Sequence, residues 1–250
     1  MRVADGGQPV YHEDILPDGH HEIIFHLKGH GARKNAGQAR WCVEPDSFIA
    51  GQHLSSYQLE LKGDSFLYGI RFYPHTLYTL TGFPAYYVTN TILPLEEERS
   101  LKILRHCITD KPDITFKNLE QALMKLVPHN MSHTSGFARI AHSVETIMRC
   151  NGNIRIDTLI GQTGLSHKHF DTLFNQFVGI HPKTFCTILK LNYFVRCKNY
   201  DPQKTLTQCA YDANFYDQAH LVKVFRSFTG KTPSQYFRSI QHISDQFSEL

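Results

Sequence analysis

The stretch HKHFDTLFNQFVGIHPKTF, from His167 to Phe185, returns in outline as QAHLVKVFRSFTGKTPSQYF, from Gln218 to Phe237. A shift of 51 places brings His169 onto His220, Phe174 onto Phe225, Phe177 onto Phe228, Gly179 onto Gly230, Pro182 onto Pro233 and Phe185 onto Tyr236. A device written twice in register has the same apolar face to bury twice. It therefore constrains the fold more than any bulk property of the chain.

Each copy reads as a short helix, a tight turn and a second helix. In the first, Asp157 is placed to cap a helix through Thr163, Gly164 supplies a left-handed turn, and Ser166 caps a helix running to about Val178. In the second, Thr207 is read as the cap of a helix through Ala213, Asn214 takes the turn, and Asp217 caps a helix to about Phe228, with Tyr216 as one extra turn residue. The second helices carry Phe170, Leu173, Phe174, Phe177 and Leu221, Val224, Phe225, Phe228 at i, i+3, i+4, i+7 spacing. Their opposite faces are polar and partly basic. PKTFCTILKLNYFVRCKN, from Pro182 to about Asn199, reads as one long helix between the copies, a spacer able to hold two such helices about one duplex turn (~34 Å) apart. A short capped helix with an anchored back and a polar front suits a DNA major groove, although the same geometry also occurs in helical hairpins that bind no DNA.

Charge agrees with that placement. Residues 1–130 hold 13 Lys+Arg against 15 Asp+Glu, and residues 131–250 hold 13 against 8, so the basic excess lies in the half that carries the repeat. The six cysteines show neither CxxC pairing nor metal-ligand spacing, and the opening MRVADGGQPV has no signal-like apolar core. These features, with no membrane-length apolar run, predict a soluble cytoplasmic protein with free thiols and no membrane partner.

Upstream, EIIFHL, SFIAG, YQLELKG and SFLYGIRFYP read as short strands, the last two as a hairpin about Gly63-Asp64, in a small barrel or sandwich. LEEERSLKILRHCI and ITFKNLEQALMKLV read as two amphipathic helices, the second ended by Pro128, and FARIAHSVETIM as a third helix stopped at Asn151-Gly152. The polar HNMSHTSG places a boundary near 130–136. The fold class expected is therefore α+β. A β-rich, barrel-like domain over 1–130 carries a helical connector at about 95–127, and an all-α domain over 136–240 holds two helix-turn-helix units joined by a long helix.

LIGQTGLSHKHFDTLFNQFVGIHPKTF followed by CAYDANFYDQAHLVKVFRSFTGKTPSQYF resembles the DNA-binding domain of the AraC/XylS family of bacterial transcription regulators, over about Ser135 to Ile240. Its closing Thr232 to Gln235 also fits a capping box with proline at the first helical position. The resemblance implies base-edge contacts from Lys168, Asp171 and Thr172 in the first reader and from Gln218, Ala219 and Lys223 in the second. It implies phosphate contacts from His167, Tyr216, Arg226 and Lys231. Lysine can donate to guanine, glutamine can pair with adenine and Asp171 can accept from cytosine, while a solvated or intrahelically paired Asp171 is the alternative. Three departures from the family pattern are Asn214 for glycine, Ile160 for alanine and Thr172 where arginine is common. The first reader is thereby expected to be weaker or differently specific.

Residues 10–94 resemble more loosely the β-rich domain of one subgroup of the same family, through ILPDGHHEIIFHL and GIRFYPHTLYTLTGFPAYYVTN. By analogy this implies a regulatory domain that senses an effector or dimerises. The implied partners are double-stranded DNA and RNA polymerase, with room for a small-molecule effector and a homodimer. No cofactor is implied, and family habit favours activation. The competing reading is a metal-dependent enzyme or metal sensor in the barrel, because His20, Glu22 and His26 share one strand face by period-2 counting. Without a further spaced ligand these three do not define a metal site, so no metal and no catalytic residue are assigned.

Overall fold

The computed structural model describes residues 2–3, 9–109, 111–127 and 136–239. The boundary near 130–136, Pro128 and Ile240 lie outside the described residues. Seven strands, β1 (Arg2–Val3), β2 (Pro9–Ile15), β3 (His21–Asn35), β4 (Cys42–Val43), β5 (Ser47–Ala50), β6 (Tyr57–Phe72) and β7 (Ile92–Pro94), form one antiparallel sheet. Its order is β1-β2-β6-β3-β5-β7, with β4 on β3.

The hairpin expected at Gly63-Asp64 is absent. Residues 57–72 are a single strand, because both of its halves pair with β3, from His21↔Phe72 to Asn35↔Tyr57. The positive φ of Gly63 (70°) lies where the register with β3 shifts, opposite Gly29 (74°), so the glycines accommodate an irregularity in the ladder and not a chain reversal. Along β3, His21, Ile23 and Phe25 point into a core with Ile49, Tyr68 and Leu77.

Helix α1 (Thr76–Thr81) and helix α2 (Pro112–Leu126) cover this core. The amphipathic helix expected over 95–108 does not form. Two 3₁₀ turns, Leu95–Glu97 and Lys102–Cys107, take its place. Between them Glu98 is extended, and its carboxylate accepts from the Leu101 backbone N–H at 2.9 Å, which competes with an α-helical ladder. Leu101 and Leu104 are still fully buried, three residues apart as a 3₁₀ turn requires.

Seven helices follow: α3 (Phe137–Arg149), α4 (Ile156–Thr163), α5 (His167–Val178), α6 (Pro182–Tyr200), α7 (Leu206–Asp212), α8 (Gln218–Thr229) and α9 (Pro233–Ser239). Two apolar clusters hold them, one around Phe170, Phe174 and Phe177, the other around Phe215, Leu221 and Phe225. The 19 residues of α6, about 28 Å long, enter both: Phe185, Cys186 and Ile188 join the first, and Leu191, Phe194 and Val195 the second. The β-rich half packs directly on this frame. Asn192 on α6 donates to the Pro17 carbonyl at 2.8 Å, and a Cβ at Gly19 would stand 2.8 Å from the Phe185 ring. No helix among the described residues is long and apolar enough to cross a membrane.

Candidate nucleic-acid interface

Helices α5 and α8 are the second helices of the two repeats, and both start where the sequence places them. Ser166 accepts from the His169 N–H at 3.3 Å, and Asp217 from the His220 N–H at 2.6 Å. Each cap satisfies one of the donors that a helix start leaves without a partner. Gly164 (φ 66°) and Asn214 (φ 58°) both adopt the left-handed turn.

The preceding helices start elsewhere than expected. Arg155, without a side-chain cap, precedes α4, and Asp157 sits inside the first turn facing Arg155 and His167 at 3.7 and 3.9 Å. An acid there meets the positive helix end without being the cap. In the second unit Thr205, not Thr207, caps α7, through a box in which Gln208 N–H donates to Thr205 Oγ1 at 3.1 Å and Thr205 N–H to Gln208 Oε1 at 2.8 Å. Thr207 instead donates its hydroxyl to Gln218 Oε1 at 3.0 Å. That bond fixes the Gln218 amide oxygen on an otherwise exposed residue.

The backs of α5 and α8 are anchored. Phe170, Phe174 and Phe177 are fully buried, as are Leu221 and Phe225, each worth about 1.5–3 kcal/mol in burial. The fronts are open. Lys168, Asp171 and Thr172 are exposed on α5, as are Gln218, Ala219 and Lys223 on α8, with His167, Tyr216 and Arg226 beside them. Thr172 donates its hydroxyl to the Lys168 carbonyl at 2.8 Å, which turns the side chain along the helix. On α8 a shallow groove runs between Gln218, Ala219, Val222, Lys223, Arg226 and Ser227. Val222 belongs to the free front face expected of this helix, one turn after Gln218, whereas Ser227 was not among the residues expected there. Lys231 is half-buried and ion-paired with Asp14 of β2.

The three residues weighed as metal ligands each take a different partner. His20 Nδ1 lies 2.9 Å from the Phe72 carbonyl, Glu22 pairs with Arg71 at 2.7 Å, and His26 Nε2 meets Glu44 at 2.9 Å. His20 also falls outside β3. Among the described residues, no group of three or more His, Cys, Asp or Glu is arranged to hold a metal ion.

His26 belongs to a different cluster. Arg33 donates Nε to Glu44 at 2.8 Å and lies at 2.6 Å through Nη2, while its guanidinium stacks over Phe48 and Tyr57. Burial alone would raise the Glu44 carboxyl, but the His26 hydrogen bond and the Arg33 charge outweigh it and hold the group below the usual carboxylate range. His53, 3.3 Å from Arg33, is pushed down to about 4 by burial and by that cation.

Residues 159–239 match a family described as a helix-turn-helix domain, and residues 2–94 match a domain of unknown function (DUF6597). The helix-turn-helix match supports the class of DNA-binding transcription regulators. More particularly, the helix-turn-helix match spans α5 to α9 and so takes in both repeated units. It is similar to a structure of ToxT from Vibrio cholerae, with 12% identity over 94% of this chain and 98% of that one and a TM-score of 0.48. A structure of ToxT with an unsaturated fatty acid bound is also similar, with 13% identity over 96% and 98% of the two chains and a TM-score of 0.44. A comparison with curated proteins gives no match.

Proposed function

We propose that this regulator binds DNA sequence-specifically by placing α5 and α8 in two successive major-groove segments, and that it activates transcription through contact with RNA polymerase. The observation that carries the reading is the doubled element itself: two capped helices with buried backs and exposed polar fronts, fixed to one connecting helix. Base edges are read by Lys168, Asp171 and Thr172 in one segment and by Gln218, Ala219 and Lys223 in the other. His167, Tyr216 and Arg226 face phosphates and supply affinity without sequence information. Lys231 joins the phosphate-facing set by exchanging its ion pair with Asp14 for a phosphate.

The two readers differ electrostatically. Ser166 is a neutral cap, so the positive start of α5 is left for a phosphate, whereas the Asp217 carboxylate already occupies that role on α8. Lys223 and Arg226 restore positive charge on the second reader. The division into a regulatory domain at 1–130 and a reader at 136–240, a small-molecule effector, a homodimer and a cytoplasmic location complete the reading.

Selection of bound sites from randomised DNA tests it. Lys168→Ala and Lys223→Ala should each relax base preference in one segment by about 1–3 kcal/mol. Unchanged preference in both variants would remove these faces as the readers.

A further inference from the structure

The last turn of a helix leaves carbonyls that its own backbone cannot satisfy, so whatever donates to them fixes where that end of the helix lies. Both reader helices receive such donors from the β-rich half. At the end of α5, Gln52 Nε2 donates to the Val178 carbonyl at 2.9 Å, and Thr89 Oγ1 to the Gly179 carbonyl at 2.7 Å. At the end of α8, the Ser56 backbone N–H donates to the Phe228 carbonyl at 2.7 Å, and Ser56 Oγ to the Thr229 carbonyl at 3.3 Å.

Gln52 and Ser56 lie in one short loop between β5 and β6, and Gln52 is only 1% exposed. The loop is itself tied down. Asn90 donates its N–H to the Gln52 carbonyl at 2.8 Å and accepts from Leu54 N–H at 2.7 Å, and a Cβ at Gly51 would stand 1.7 Å from the Val88 carbonyl. One fixed loop therefore holds the ends of both readers at once. The opposite ends, where Ser166 and Asp217 cap, remain free to face DNA.

We infer that Gln52, Ser56 and Thr89 are positioning residues for DNA recognition: by holding the final carbonyls of α5 and α8 they set the spacing and mutual orientation of the two readers. This rests on the reading above that both helices enter DNA. Helix α6 joins the readers, but a loop across both of their ends adds a second constraint that comes from the other half of the chain. The spacing of the two DNA segments that the protein accepts is then set by residues that touch no DNA. The same contacts give the β-rich half a direct mechanical route to the readers.

The test uses the full chain with Gln52→Leu and Thr89→Val combined, which keep side-chain bulk and remove both donors to α5. Binding is measured to the selected site and to versions with one base pair inserted or deleted between the two segments. An altered spacing misplaces one whole reader, so the unmodified protein should discriminate against it by about tenfold or more. The double variant should lose most of that discrimination while keeping its base preference within each segment. Thr89→Ser, which retains the hydroxyl, should behave as the unmodified protein. A folded variant with unchanged spacing discrimination, or one weakened equally at every spacing, overturns the inference. Should the double variant not fold, Thr89→Val alone decides on the same two outcomes. If the unmodified protein itself shows no base preference, the two-reader function falls instead, and the unmodified arm reveals this without any variant.

Discussion

Removing the Glu44 carboxylate should destabilise the β-rich half far more than loss of a surface charge. Arg33 and His26 converge on this one group at 2.6 to 2.9 Å, and their side chains are only 6% and 2% exposed. In Glu44→Ala the guanidinium stays beside Phe48 and Tyr57, with His53 at 3.3 Å unable to neutralise its charge. An uncompensated buried charge of this kind costs about 3–5 kcal/mol. For a chain of this size each kcal/mol lowers the melting temperature by about 2–4 °C, so the variant should melt roughly 6–20 °C lower. Arg33→Met combined with Glu44→Met removes both charges and should recover at least half of that loss, because an apolar filling needs no compensation. Thermal denaturation followed by circular dichroism measures all three proteins. Glu44 titrates below its usual range when folded, so its contribution is complete above about pH 4.5 and is lost as pH falls, and the gap between the single variant and the unmodified protein should close in acid. A single-variant cost under about 1 kcal/mol, as at an exposed pair, would refute the reasoning, and so would a double variant as unstable as Glu44→Ala.

Two histidines should make the fold acid-sensitive at higher pH. Burial, reinforced by the neighbouring His20, pushes His21 down to about 3, and burial with the Arg33 charge pushes His53 to about 4, so the unfolded chain takes up their protons first as pH falls. Stability should hold above about pH 6.5 and decline towards pH 4 with a slope of up to about 1.4 kcal/mol per pH unit for each histidine, and His21→Leu should remove about half of it. Chemical denaturation at a series of pH values checks this, and stability that rises on acidification contradicts it. Asp217→Ala should cost about 1 kcal/mol through the lost cap of α8, with Asp217→Ser restoring most of it in the same melting assay.

The parts of the fold that could be read from sequence are those decided within a few residues. Ser166, Asp217, Pro182, Gly164 and Asn214 act on their own neighbourhoods, and the helices they delimit stand where the residues place them. The box at Thr205 and Gln208 was equally local, but Thr207 drew the cap assignment because it too precedes the apolar stretch. The single long β6 was hidden because Gly63-Asp64 has turn chemistry, and only pairing with β3 across the sheet overrides it. The donors to the reader helices were beyond reach. Gln52 meets Val178 across 126 residues of sequence, Ser56 meets Thr229 across 173, and Lys231 meets Asp14 across 217. Neither a carbonyl acceptor nor a lone Gln, Ser or Thr announces its partner at such a separation.

The burial of α6 in two cores at once limits how its recognition site can change. Deleting or adding one residue in this helix would turn everything beyond it by about 100° and displace it by about 1.5 Å, swinging α8 out of its present relation to α5. Separations available to descendants of this chain are therefore spaced by whole helical turns. Small adjustments must come from residues outside the helix, so the length of α6 acts as a ratchet on the separation of α5 and α8.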